Sequence, residues 1–306
     1  MRVIFFGTSE FAVPSLERVA ASGHELVMCV TQPDRPQGRG LRSEPSPVKR
    51  AAERLALLLA QPERSRADLF AALRPEVGVV VAYGQLIRRD LLELPAHGML
   101  GVHPSLLPKY RGAAPVAWAL LSGEGETGVT IFRLDERLDD GDVVLQERVA
   151  IEPGERSDAL TRRLAERGAD ALVRALELIA AGRATFTPQD DSRATLAPKL
   201  TKAQGRIDWR QPAGVIERLV RATIPWPGAA TARQGVPLKI VAAAAADAPE
   251  RSAPPGMVIE VSSDRFTVAA GTGALVVTEV QPAGRRPMTA KAFLAGHQVK
   301  VGDKFE

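Results

Sequence analysis

The N-terminal stretch Arg2-Val3-Ile4-Phe5-Phe6-Gly7-Thr8-Ser9 decides the fold. Val3 to Phe6 form an uninterrupted apolar run, the pattern of a strand buried on both faces. Gly7-Thr8-Ser9 then reads as a turn and helix cap, Val13 to Ala21 as a helix stopped at Gly23, and Glu25 to Thr31 as a second strand. This is a βαβ opening. Working outward, a loop from Gln32 to Pro47 leads to helices expected around Val48 to Leu59 and Ala67 to Leu73, then a strand at Val77 to Val81. Such alternation implies an α/β fold with a doubly wound, mostly parallel sheet, whose site lies at the carboxyl ends of the strands.

Farther along, Ser157 begins a strongly helical stretch with apolar residues at Leu160, Leu164, Ala171, Leu172, Leu176 and Ile179, ending at Gly182. The polar segment Phe186 to Arg206, with Pro188, Asp190, Asp191, Ser192 and Pro198, reads as a linker. After a short helix at Gly214 to Arg221, apolar runs alternate with turns: Leu238 to Ala242, Met257 to Val261, Phe266 to Ala269 and Ala274 to Val280. That rhythm predicts a small β-barrel. The expected organisation is a catalytic domain over 1–188, a linker over 189–206 and a barrel over 207–306.

The 306 residues suffice for two cores. No run reaches the roughly 18 uninterrupted apolar residues of a membrane helix, and the N-terminus lacks the pattern of a leader, so a soluble cytoplasmic protein is expected. One cysteine, Cys29, excludes an internal disulfide or a thiolate zinc site. Lone Gly7 is no Gly-x-Gly-x-x-Gly fingerprint, and no Walker-type loop is present, which sets aside nicotinamide and ATP binding. The net charge of +4 is uneven: residues 191–306 carry 16 Lys and Arg against 10 Asp and Glu, leaving 24 against 26 for the rest. A basic third of this kind matters if the partner is a polyanion.

Chemistry gathers at Gly101-Val102-His103-Pro104-Ser105-Leu106-Leu107-Pro108-Lys109-Tyr110-Arg111-Gly112 and at Leu138-Asp139-Asp140-Gly141-Asp142. Both follow apolar strand-like runs, so neighbouring strand ends bring a histidine and a carboxylate into one site. His with Asp is general-base equipment. His103 is one of four histidines; His24, His97 and His297 lack such a setting and read as structural. The backbone of Ser105 to Pro108 is suited to lining a ligand slot, with its leucines covering an aromatic face.

These segments resemble the signature of the N10-formyltetrahydrofolate-dependent formyltransferases, Asn-x-His-x-Ser-Leu-Leu-Pro followed by Leu-Asp-x-Gly-Asp. The resemblance implies a Rossmann-like catalytic domain with an OB-like C-terminal barrel, folate as co-substrate, and no metal. It assigns proton traffic to His103, selects Asp139 as its supporting carboxylate, and assigns folate contacts to Ser105, Leu106, Leu107, Pro108, Tyr83 and Gly84. One letter departs. Gly101 stands where the family has asparagine, the donor to the developing oxyanion, and the chain contains no asparagine at all. Loss of one such donor costs about 10²–10³ in rate, and Gly101→Asn is expected to restore it.

The resemblance spans nearly the whole chain and is similar in detail to the branch acting on methionyl-initiator tRNA. Thr31-Gln32-Pro33-Asp34-Arg35-Pro36, Pro45-Ser46-Pro47-Val48-Lys49, Val80-Val81-Ala82-Tyr83-Gly84, Arg111-Gly112-Ala113-Ala114-Pro115, Arg206-Ile207-Asp208-Trp209 and Pro225-Trp226-Pro227 all belong to it. It implies that Arg35, Arg39 and Arg42 enter the tRNA acceptor stem, with a basic track extended by Lys199, Lys202, Arg206, Arg285, Arg286 and Lys291. No protein partner is implied. Two other readings stay open: a nucleotide-sugar N-formyltransferase sharing the His and Asp, and a tRNA-binding protein disabled at Gly101.

Overall fold

The computed structural model describes residues 1–37, 42–247 and 253–306, with backbone alone at 36, 37, 42 and 43. The chain forms two compact units: 1–115, 126–150 and 161–198 make one, and 116–125, 151–160 and 199–306 the other.

In chain order the elements are β1 (Arg2–Gly7), α1 (Val13–Ala21), β2 (Glu25–Val30), β3 (Arg35–Gln37), β4 (Arg42–Glu44), α2 (Pro47–Arg54), β5 (Leu59–Ala60) and β6 (Val77–Val81). They continue with α3 (Arg89–Leu92), β7 (Met99–His103), α4 (Pro115–Leu121), β8 (Glu126–Arg133), β9 (Val143–Ala150) and α5 (Ser157–Ala180). The sheet of the first unit runs β5-β2-β1-β6-β7-β8-β9. It is parallel from β5 through β7 and antiparallel through β8 and β9. Val3 to Phe6 of β1 are wholly buried, as a strand covered on both faces requires. Opposite residues of β7 and β8 pair as Gly101 with Phe132 and His103 with Thr130.

Several expectations are corrected. The helix expected to Leu59 stops at Arg54, because Ala56 turns to a left-handed φ of 53° and Leu59–Ala60 joins the edge of β2. Residues 67–73 form two 3-10 turns, Ala67–Leu69 and Ala71–Leu73. The loop after Gln32 contains the β3–β4 hairpin. Part of the segment read as a linker is held in place, with Thr187 bridged to Val143 and Leu196 to Arg111.

The second unit holds α6 (Ala213–Ala222), β10 (Ala229–Arg233), β11 (Val236–Ala246), β12 (Val258–Val261), β13 (Phe266–Ala269), β14 (Ala274–Pro282), β15 (Met288–Thr289) and α7 (Ala290–Gly296). Its antiparallel sheet runs β10-β11-β14-β13-β12, with β15 on β14. Bridges from Arg233 to Phe305 and from Met257 to Lys304 tie the two outer ends through one terminal segment, so the sheet curls toward closure. Phe305 stacks on Phe266 at 5.6 Å within a core that includes Trp209, Ile216, Leu275 and Phe293.

Candidate active site

β7 carries Gly101 and His103 to its carboxyl end, where the chain leaves the sheet as a tightly braced loop. Ser105 donates its hydroxyl to the Lys109 carbonyl at 2.6 Å. Thr130, opposite His103 in register, donates to the Ser105 carbonyl at 2.7 Å and accepts from the Leu107 N–H at 3.1 Å. Gln146 of β9 donates to the Leu107 carbonyl at 2.7 Å. Ser105 and Leu107 are buried by this bracing, whereas Leu106 and Pro108 stay half-buried. The Ser105 hydroxyl and the Leu107 backbone thus serve the loop itself.

The His103 Nε2 lies 2.8 Å from the Tyr110 carbonyl. A carbonyl only accepts, so Nε2 carries the proton and the neutral ring keeps a bare Nδ1. That atom lies 3.7 Å from Asp139 Oδ2, near enough for charge coupling and too far for a direct hydrogen bond. Burial pushes the His103 pKa below its ordinary value, opposed by the Asp139 carboxylate and the Tyr110 carbonyl. The site therefore presents a neutral imidazole able to take a proton on Nδ1, where Asp139 would stabilise the resulting cation.

The β8–β9 loop explains how Asp139 reaches this place. Asp139 adopts a left-handed φ of 52°, a conformation that Asp tolerates better than most residues, and its Oδ2 accepts the Gly112 N–H at 2.9 Å. Gly141 presses on the end of β8: a Cβ there would lie 1.7 Å from the Arg133 carbonyl oxygen, so only glycine closes the turn. Asp140 points elsewhere. Its buried carboxylate pairs with Arg111 at 2.6 Å and with Arg137 at 2.5 Å, which makes it an ion-pair partner.

Two residues of this assembly escaped sequence reading. Gln189 donates its side-chain N–H groups to the carbonyls of Asp139 at 2.9 Å and Gly141 at 2.8 Å, and its Oε1 accepts from Arg111. Asp191 accepts from Arg111 at 2.8 Å, and that contact lowers its pKa. Both lie in the segment expected to be a linker. A polar stretch rich in Pro and Asp carries no periodicity, and the one available signal, a glutamine just after Pro188, is too slight to read.

Other expected site residues are placed differently. The space beside Gly101 is filled: an added Cβ would meet the Phe132 ring at 2.4 Å and 2.7 Å and Leu134 at 2.8 Å. Phe132 sits edge-on to His103 at 6.5 Å. Tyr83 is only 2% exposed, with its hydroxyl 2.6 Å from Ser65 Oγ and its ring against Phe6, so its side chain belongs to the core. The Tyr83 carbonyl accepts from Thr8 and Gln32, and Gly84 follows at φ 79°.

Among the basic residues, Arg35 is exposed, Arg39 lies outside the described residues, and only the backbone of Arg42 is described. The hairpin base is fastened by Asp34, which pairs with Lys49 at 2.6 Å and accepts from Gln61 at 2.7 Å. Lys199, Lys202, Arg206, Arg285 and Arg286 are all exposed. Among the described residues no group of His, Cys, Asp and Glu is arranged to hold a metal, and no helix is long and apolar enough to cross a membrane.

One unit thus holds a buried imidazole and a carboxylate at the carboxyl edge of a mostly parallel sheet, and the other is built on an antiparallel sheet. The chain belongs to the formyl transferase family: residues 1–176 match the formyl transferase domain and residues 199–298 the formyl transferase C-terminal domain. Among its relatives, the methionyl-tRNA formyltransferase of Moorella thermoacetica is 47% identical over 307 residues, covering 99% of this chain and 98% of that protein. That of Chloroflexus aurantiacus is 49% identical over 300 residues, covering 97% of each. In fold, the chain is similar to HypX from Aquifex aeolicus in complex with tetrahydrofolic acid, with a TM-score of 0.64 at 20% identity over 99% of this chain. It spans 50% of the length of that protein.

Proposed function

We propose that this protein transfers the formyl group of N10-formyltetrahydrofolate to the amino group of methionyl-initiator tRNA, in the cytoplasm, at the start of translation. The observation that carries the chemistry is the bare Nδ1 of a buried, neutral His103 facing Asp139. The near full-length relatives named for this reaction support the acceptor.

Folate supplies the activated formyl carbonyl. The half-buried Leu106 and Pro108 and the backbone turn at Gly84 suit a flat ring system. The attacking amine loses a proton as its bond to the formyl carbon forms, and His103 Nδ1 receives it, with Asp139 balancing the charge. The same proton is then available for the departing folate nitrogen. Gly101 has no side chain to reach the oxyanion and Phe132 fills the space beside it, so the protonated Nδ1 is the donor this site supplies. Arg35, Arg39 and Arg42, with Lys199, Lys202, Arg206, Arg285 and Arg286, serve the tRNA through its phosphates.

The test is single-turnover formylation of charged initiator tRNA by the purified protein. Formyl-methionyl-tRNA is the expected product, with Arg39→Ala weakening use of the tRNA and leaving folate affinity unchanged. Transfer to a nucleotide-linked amino sugar instead would make the protein a sugar formyltransferase. Tight tRNA binding without transfer would make it a non-catalytic tRNA-binding protein.

A further inference from the structure

We propose that Gln189 is a positioning residue that holds the Asp139 carboxylate against His103; this rests on the catalytic reading above. A carboxylate at φ 52° on a nine-residue return between two strands has many alternatives open to it, and one backbone bond from Gly112 does not choose among them. Gln189 supplies the missing constraint. Its amide nitrogen donates to the carbonyls on either side of Asp140, at residues 139 and 141, so the peptide units around the carboxylate are gripped from one point.

The grip is itself anchored. Arg111 donates through Nε and Nη2 to Gln189 Oε1 at 3.1 Å and 2.8 Å, which fixes which end of the amide faces the loop. The same guanidinium, 11% exposed, pairs with the buried Asp140 and with Asp191. Arg111 begins on the His103 loop, immediately after Tyr110 whose carbonyl holds His103 Nε2. One circuit therefore runs by hydrogen bond from the imidazole to Tyr110, along the chain to Arg111, and by hydrogen bonds on to Gln189 and back to Asp139. Both ends of the His103–Asp139 pair are set by a single rigid circuit, in which a misplacement of about 1 Å costs around a hundredfold in rate.

Gln189→Glu separates this role from simple packing. Glutamate keeps the length and the acceptor for Arg111 and removes both donations to the loop. The expected result is a kcat lowered about 10- to 100-fold with KM for folate and tRNA unchanged. In Gln189→Met, which adds no charge of its own, the acid limb of the pH profile should also move to lower pH, because Asp139 is the charged group that favours the His103 cation. The other groups against His103, the Tyr110 carbonyl and the Phe132 ring, do not titrate in that range. Gln189→Met, which lacks donors and acceptor alike, provides a second variant should the glutamate misfold, and circular dichroism with thermal melting checks both. A parental kcat and acid limb in a folded Gln189 variant, while Asp139→Ala is inactive, overturns the proposal. So does a rise in KM alone, which would place Gln189 in ligand binding. A parental rate in Asp139→Ala overturns the catalytic reading instead.

Discussion

The His103–Asp139 site and the basic residues of the second unit use charge in opposite ways. In the site, the ionisable groups are tied down: His103 through Tyr110, Asp139 through Gly112, Asp140 and Asp191 through Arg111. Lys199, Lys202, Arg206, Arg285 and Arg286 are exposed and make no ion pair among the described residues. Under the proposed function, the difference teaches what each task requires. Proton transfer depends on tenths of an ångström, so side-chain freedom is removed in advance. Phosphate binding depends on the number of uncommitted cations, each free to follow its partner.

The comparison breaks first at His103. His103→Ala should lower the single-turnover rate by about 10²–10⁴ at saturating folate and tRNA while the protein still folds, as loss of a general base does. A rate equal to the parent would move the chemistry elsewhere. In the parent, activity should persist below the ordinary histidine value of 6.5, because burial lowers the His103 pKa. The sign for stability follows: below 6.5 the unfolded chain takes up this proton more readily than the folded one. The contribution is thus complete above 6.5 and declines as pH falls toward the folded value, which a series of melts across acid pH would record.

Gly101 tests whether the site is as filled as it is tied. From the sequence alone, Gly101→Asn should restore a lost donor and speed the reaction. With the Phe132 ring and Leu134 in the way, the expected outcome is no gain in rate and a loss of about 1–3 kcal/mol in unfolding free energy, the usual cost of overpacking. A faster enzyme with an unchanged melt would mean that Phe132 swings aside at no cost.

The smallest effects belong to the cations. Replacing Lys202 or Arg206 singly with alanine should reduce the salt dependence of tRNA affinity by about one unit of slope and leave the saturated transfer rate alone. A salt response identical to the parent for both would remove them from the phosphate track.

Much of the frame was legible in the sequence, and the reason is periodicity. The apolar run of β1, the helix α1 and the 24-residue α5 each announce themselves, and the short strands of the second unit follow their turns. Where two periodicities overlapped, the reading failed: Leu55 to Leu59 suits a helix, but the chain turns at residues 55–56 and only Leu59 and Ala60 pair with β2. The His103 and Asp139 letters were readable because they share a motif with a known family. Gln189 was not, because its N–H groups serve two backbone carbonyls, and carbonyls leave no trace in a sequence. Nor did the letters reveal that Phe132 stands opposite Gly101, a fact of strand register alone.

Gly141 shows how differently the letters of one motif behave under substitution. It has no titratable group, yet any side chain there meets the Arg133 carbonyl and pushes the loop away from His103. A mutational scan scored by activity would rank Gly141→Ala beside Asp139→Ala, as though both took part in the chemistry. Scored by melting temperature, the two would separate, since Gly141→Ala forces backbone apart whereas Asp139→Ala loses one hydrogen bond and a preferred φ. In such a scan, intolerance by itself would not distinguish an atom that reacts from a space that must stay empty.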